Sequence, residues 1–346
     1  MANLNASCGL MDDGAASLLA LECVGEHRST SYRWRQPRSP PTEAQLAHCG
    51  FPGATWATSA ARDDPNLLLL LHGLGDNPAV YARFAAQLRL PQTSALALPA
   101  PLPLPQGLPG RMWCESFSED GSLIDGSSAK IDQRRLMDSL ANATRVRLLR
   151  LLRLLVDNCG WKMERVFIFG YAQGGSAALD LLAHGLGNLE DGSAYIGRVG
   201  ASGTRDSACR LGGVVSWCGL PFPDNVASQI GESSLGSRTP LLVVCGEADA
   251  QTPAKRARRL FQELTTGWER HRTPSPGRPD CAQPNAEASA ESPSASSPEQ
   301  TLHLLTGKGQ AMVGSPAEAR LLMEFFARHL ALSSALEDDP NVIRMS

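Results

Sequence analysis

The chain has 346 residues, 42% of them hydrophobic and 19% charged, which is enough for one large globular domain with loops to spare. A formal net charge of −3 gives no electrostatic footprint for a nucleic-acid partner, and nine cysteines follow no Cys-x-x-Cys spacing and no compact disulfide framework. The odd count leaves at least one thiol unpaired, so a reducing compartment is expected. The longest apolar runs, such as 67–71, are far too short to span a bilayer, and Asp12 and Asp13 stand where an export signal would carry Lys or Arg. The expectation is a cytoplasmic protein with no cofactor, no metal and no transmembrane segment.

Residues 1–62 mix Gly, Pro, Ser and Arg without a sustained period and read as a loosely ordered extension. From Asn66 the character changes. Leu67 to Leu71 is an uninterrupted apolar strand, and His72-Gly73-Leu74-Gly75-Asp76-Asn77-Pro78 is a glycine-rich turn after it. A helix over about 80–88 and a strand near 94–98 complete a βαβ rhythm, which implies a mostly parallel sheet. The Pro-rich stretch 98–109 is expected to be irregular and to lead into Met112-Trp113-Cys114 at a pocket rim.

Apolar residues at helical spacing from Leu136 to Leu155 predict one long helix over about 131–156, with Arg145, Arg147, Arg150 and Arg153 on a solvated outer face. A buried strand, Val166-Phe167-Ile168-Phe169, then runs into Gly170-Tyr171-Ala172-Gln173-Gly174-Gly175 and straight into an Ala-rich helix. A strand turning this sharply into a helix has the outline of a nucleophile elbow, in which the middle residue is lifted above the sheet. Here that residue is Ala172. Further strands are predicted at 213–218, 240–245 and 302–305, and helices at 253–264 and 316–332. The Pro/Ser/Ala-rich stretch 266–299 reads as a disordered insertion and 335–346 as a tail, so the folded domain is bounded at 63–334. Ser39, Thr273, Ser275, Ser292 and Ser297 each precede a proline, the pattern of proline-directed phosphorylation, though an inert insertion explains the last four as well.

In order, these motifs are His72-Gly73-Leu74-Gly75-Asp76, Trp113, Gly170-Tyr171-Ala172-Gln173-Gly174-Gly175, Trp217-Cys218-Gly219, Cys245-Gly246-Glu247-Ala248-Asp249 and Gly307-Lys308-Gly309-Gln310. The series resembles the phospholipase/carboxylesterase family of α/β-hydrolases, the group that contains the acyl-protein thioesterases. The resemblance implies an α/β-hydrolase fold, a mostly parallel sheet with helices on both faces. It further implies that the backbone N–H groups of Leu74 and Gln173 form an oxyanion hole, that Asp249 matches the acid of the triad, and that His72, Gly73, Gly75, Asp76, Trp113, Trp217 and Cys218 surround the pocket.

By the same resemblance, Ala172 stands where the family has its serine nucleophile and Gln310 where it has its histidine base. A methyl group cannot attack a carbonyl, and a carboxamide has no titratable nitrogen to take a proton. Ser176, one helical turn further on, and Cys114, Cys218 and Cys245 are the alternative nucleophiles; His303 and His329 are not placed to replace the base, and His72 is expected to support its turn. The resulting expectation is a hydrolase-like protein with a degenerate triad. It would bind an acyl or ester small molecule or an acylated protein with little or no turnover, with a slow esterase and an interaction scaffold as alternatives.

Overall fold

The computed structural model describes residues 38–57, 64–125, 128–185, 210–222, 230, 235–272 and 297–332. The strands, in chain order, are β1 (Thr55–Ala57), β2 (Asn66–Leu71), β3 (Thr93–Leu98), β4 (Leu102–Pro103), β5 (Arg111–Met112), β6 (Val166–Tyr171), β7 (Gly213–Trp217), β8 (Leu241–Gly246) and β9 (Gln300–Leu305). The helices are α1 (Glu43–His48), α2 (Pro78–Leu88), α3 (Lys130–Ser139), α4 (Val146–Asp157), α5 (Gln173–His184), α6 (Ala254–Arg272) and α7 (Pro316–His329).

Seven strands form one sheet in the order β1-β3-β2-β6-β7-β8-β9, and β4 pairs only with β5. Every neighbour in the large sheet is parallel except β1, which lies antiparallel to β3 at the edge. The central strands are continuous apolar runs because both of their faces are covered. Leu67, Leu69 and Leu71 join a core with α3, α4, α5 and α6, while Leu68 and Leu70 join a second core with α2 and α7. This is the α/β-hydrolase arrangement expected from the motifs.

Four departures have local causes. Residues 38–57 carry order that their composition hides: Thr42 and Gln45 form a capping box on α1, and β1 extends the sheet. The Pro-rich stretch contains a short ladder, because Leu102 and Pro103 pair with Met112 and Arg111. The helix predicted over 131–156 is interrupted by a π-turn at Leu140–Arg145. Finally, α6 runs on to Arg272, well past the predicted end, because Leu264 and Trp268 are fully buried against the first core. The remaining part of the expected insertion, 273–296, and the tail 335–346 lie outside the described residues.

Candidate active site

The C-terminal ends of β2, β6, β7, β8 and β9 bring the motifs together. Ala172 is the N-cap of α5 with φ 47° and ψ −114°, a left-handed conformation that costs a non-glycine residue about 1–3 kcal/mol. The turn is held by Ala172 N–H donating to Trp217 O at 2.7 Å and Ser176 N–H donating to Ala172 O at 3.0 Å. Close approach fixes its glycines: a Cβ on Gly174 would lie 2.6 Å from His72 O, and one on Gly219 2.6 Å from Ala172 O. The elbow backbone is therefore built as if it carried a nucleophile.

The His72 turn is equally determined. Ala100 N–H donates to His72 Nε2 at 3.0 Å, which leaves the proton on Nδ1 to be donated to Gly73 O at 2.7 Å. Burial is the main cause holding the imidazole below its ordinary pKa, so it stays neutral and braces the turn. Tyr81 Oη accepts from Gly73 N–H at 3.1 Å and donates to Asp76 Oδ2 at 3.2 Å, while Trp113 Nε1 donates to His72 O at 2.8 Å. Among the described residues, no acceptor takes the N–H of Leu74 or of Gln173.

The Gln173 side chain ties the elbow to the rim. Its Oε1 accepts from Trp113 N–H at 2.6 Å, and its Nε2 donates to Cys114 O at 3.3 Å and to Ser116 Oγ. Thr144 Oγ1, on the π-turn, holds Trp113 O from the other side. The next residue, Arg145, does not lie on a solvated face: its Nε and Nη2 donate to the two oxygens of buried Asp180 on α5 at 2.7 and 2.8 Å. His184 Nδ1 lies 3.1 Å from Asp180 Oδ1. These groups were not identified from sequence; the available signal was a lone Asp inside an Ala/Leu-rich helix with His four residues on.

The loops expected to supply acid and base are stitched to each other. Ala248 N–H donates to Lys308 O at 2.9 Å and Glu247 N–H to Leu305 O at 3.0 Å. Lys308 Nζ donates to Glu318 Oε2 at 2.5 Å and lies 5.5 Å from the centre of the Trp217 ring. Trp217 Nε1 and Cys218 Sγ both donate to Ala311 O, at 2.9 and 3.7 Å. Asp249 is buried, and its carboxylate accepts from Gln251 N–H at 2.9 Å, Thr252 N–H at 3.2 Å and the Thr252 hydroxyl. Gln310 is exposed on the loop.

The alternative nucleophiles sit in unfavourable surroundings. Ser176 is buried and its hydroxyl faces Ala172 O at 3.4 Å. Burial pushes the Cys114 and Cys245 thiols up to about 12 and Cys218 up to about 11, so none supplies a thiolate near neutrality. His303 is exposed on β9, and His329 Nε2 lies 3.2 Å from Glu299 Oε2 at the far end of α7. Tyr171 is half-buried with no hydrogen bond to its hydroxyl among the described residues; burial first, then Cys218, Asp76 and Asp249, push its pKa up to about 12. No group of metal-ligating side chains occurs among the described residues, and no helix there is long and apolar enough to cross a membrane.

Residues 56–203 match the family described as Phospholipase/Carboxylesterase. An uncharacterized hydrolase of Mycosarcoma maydis is 35% identical over 148 residues, which are 42% of this chain and 52% of that protein. An uncharacterized hydrolase of Schizosaccharomyces pombe is 31% identical over 119 residues, 33% of this chain and 44% of that protein. The chain thus spans about half the length of the curated relatives it matches. Among solved structures, esterase PE8 superposes with a TM-score of 0.55 at 15% identity, covering 80% of this chain and 98% of that one. Zea mays acyl-protein thioesterase 2 gives a TM-score of 0.50 at 18% identity, covering 80% and 99%. At such identities the likeness carries the fold alone, that of an α/β-hydrolase, while the segment 56–203, which holds the elbow and the His72 turn, is similar to the phospholipase/carboxylesterase family.

Proposed function

We propose that this protein binds acyl or ester groups, free or on an acylated protein, in a carboxylesterase/thioesterase-type site and turns them over slowly or not at all. The observation that carries the reading is Ala172 at the tip of the elbow, with φ 47° and ψ −114° and a methyl group where an attacking hydroxyl is needed. Gln310 supports it, since a carboxamide exposed on the base loop cannot act as general base. Asp249 supports it as well, because its three hydrogen bonds run to its own turn and to no imidazole. In another serine hydrolase, loss of the nucleophile or base lowers kcat by about 10⁶ and leaves only the binding and oxyanion contributions.

The test is hydrolysis of short- and long-chain p-nitrophenyl esters and of an acyl thioester by the wild type and by Ala172→Ser/Gln310→His. The reading expects wild-type rates at the level of a heat-killed control and a double variant at least about 100-fold faster. Saturable wild-type turnover as fast as that of the double variant would overturn it and send the search to a different nucleophile.

A further inference from the structure

We propose a second binding site, for a small zwitterion with an aliphatic side chain: a free apolar amino acid, or a dipeptide with both termini free. It is separate from the elbow and independent of whether the elbow turns anything over. A groove of about 540 Å³ lies over α3 and the π-turn, closed by Leu102 of β4 and Glu115 of the segment after Trp113. That volume is in the range of small-molecule sites. None of Ala172, Gln173, Asp249 and Gln310 lines it.

Helical spacing builds one wall of the groove. Ile131, Arg134, Arg135, Asp138, Ser139 and Asn142 recur at intervals of three and four and share one face of α3 and of the start of the π-turn. Ala143 and Arg147 continue that wall, whereas Thr144 and Arg145 turn inward to Trp113 O and Asp180. A π-turn inside a helix is a frequent companion of functional sites.

The charged groups of the wall divide into engaged and free. Arg135 is engaged: its Nε lies 3.2 Å from Glu115 Oε2, and its Nη2 lies 3.3 Å from Asp132 Oδ1 and donates to Phe117 O. The Ser139 hydroxyl accepts from Glu115 N–H at 2.8 Å and donates to Leu136 O at 2.7 Å. The side chains of Arg134, Asp138 and Asn142 have no hydrogen bond or ion pair among the described residues. Arg134 and Asp138 stand one turn apart on α3, a spacing at which opposite charges can pair, yet they do not. Arg147 is half-buried, and it donates to Ala143 O with no carboxylate against it among the described residues.

A purely anionic ligand would face Asp138, and a purely cationic one would face Arg134 and Arg147. A zwitterion satisfies both signs, its carboxylate on the guanidinium groups and its ammonium on the Asp138 carboxylate. Side chains one helical turn apart have Cβ atoms ~5–6 Å from each other, a gap that one amino acid or an extended dipeptide of about 7 Å bridges. Asn142 adds an amide that can donate to the carboxylate or to a peptide carbonyl. Ile131, 70% exposed, and Leu102 give an aliphatic side chain its apolar contact.

Ligand-observed NMR titrations of the full chain with leucine, leucyl-leucine, N-acetyl-leucyl-leucine and leucyl-leucinamide test this. Leucine or leucyl-leucine should bind at least about 5-fold more tightly than either blocked peptide, and the tighter of the two identifies the source. Arg134→Gln and Asp138→Asn should each weaken that zwitterion at least about 3-fold with an unchanged circular dichroism spectrum. Arg134→Gln should leave leucyl-leucinamide unaffected, and Asp138→Asn the N-acetyl peptide, since each lacks the charge in question. Equal binding of free and blocked peptides, no binding of either zwitterion, or zwitterion binding indifferent to both substitutions overturns the proposal. Should a variant fail to fold, the four-ligand comparison on the unaltered chain decides by itself.

Discussion

Replacing Arg145 by Met tests how the π-turn holds the elbow helix. Asp180 is 3% exposed, and Arg145 supplies two of its charge-assisted hydrogen bonds at 2.7 and 2.8 Å, with His184 at 3.1 Å as the remaining charged neighbour. Removing one partner of a buried ion pair costs about 3–5 kcal/mol, and the surviving His184 contact places Arg145→Met at the lower end, near about 3 kcal/mol. Asp180→Asn keeps the shape and loses charge, so it should cost about 1–3 kcal/mol. The two changes share an interaction and must therefore add to less than their sum.

The same cluster sets a pH signature. Burial pushes Asp180 up, but hydrogen bonds from His184 and Arg145 outweigh it and hold its pKa below the ordinary value. Its contribution is therefore present above the unfolded value of about 3.9 and is lost as pH falls through the lower folded one. Burial pushes His184 down, and the Asp180 carboxylate more than reverses this, so its folded pKa is raised. That contribution is complete below the unfolded value of about 6.5 and is lost as pH rises through the raised one. Urea unfolding followed by tryptophan fluorescence below about pH 3.9, near about pH 5 and at mildly alkaline pH measures both terms, with midpoints compared at unchanged m. Asp180→Asn should flatten the alkaline loss. A cost for Arg145→Met below about 1 kcal/mol, or an unchanged alkaline loss in Asp180→Asn, would refute the argument.

Gly174→Ala should lower stability by at least about 1–3 kcal/mol, since its Cβ meets backbone carbonyls of Leu71 and His72 that cannot swing away; an unchanged urea midpoint would contradict this. Cys114, Cys218 and Cys245 should resist iodoacetamide in the native protein at mildly alkaline pH and react in urea, as peptide mass mapping would show; rapid native labelling of any of them would contradict their raised pKa values. Asp249→Ala should cost about 1–3 kcal/mol by thermal or urea unfolding, because the buried Thr252 N–H and hydroxyl lose their acceptor; a neutral result would place the function of Asp249 outside its turn.

The sheet was legible in the sequence because its strands are buried on both faces. Leu67 to Leu71 and Val166 to Phe169 are unbroken apolar runs followed by glycine turns, and nothing else in the chain competes with that pattern. The elbow glycines were legible for a related reason, since residues without Cβ are required where Gly174 passes under β2. The π-turn was not legible: one extra residue per turn changes which side chains face inward, and local periodicity averages over it. Arg145 was consequently assigned to the wrong face, and the Arg145–Asp180–His184 cluster was missed although Asp180 inside an apolar helix was visible. The order in 38–57 was hidden because β1 is a three-residue edge strand whose partner, β3, lies some forty residues on. At the site, residue identities were readable at Ala172, Asp249 and Gln310, but the direction of the Asp249 hydrogen bonds depends on Thr252, a contact that only the folded loop creates.

The central claim is that the elbow has lost its chemistry and kept its geometry, and covalent labelling tests it most directly. The wild type and Ala172→Ser/Gln310→His would each be treated with a fluorophosphonate, and the modified peptide located by mass spectrometry. The account predicts no adduct on the wild type and an adduct at position 172 of the double variant. An adduct on the wild type, at Ser176 or at any other side chain, would contradict it.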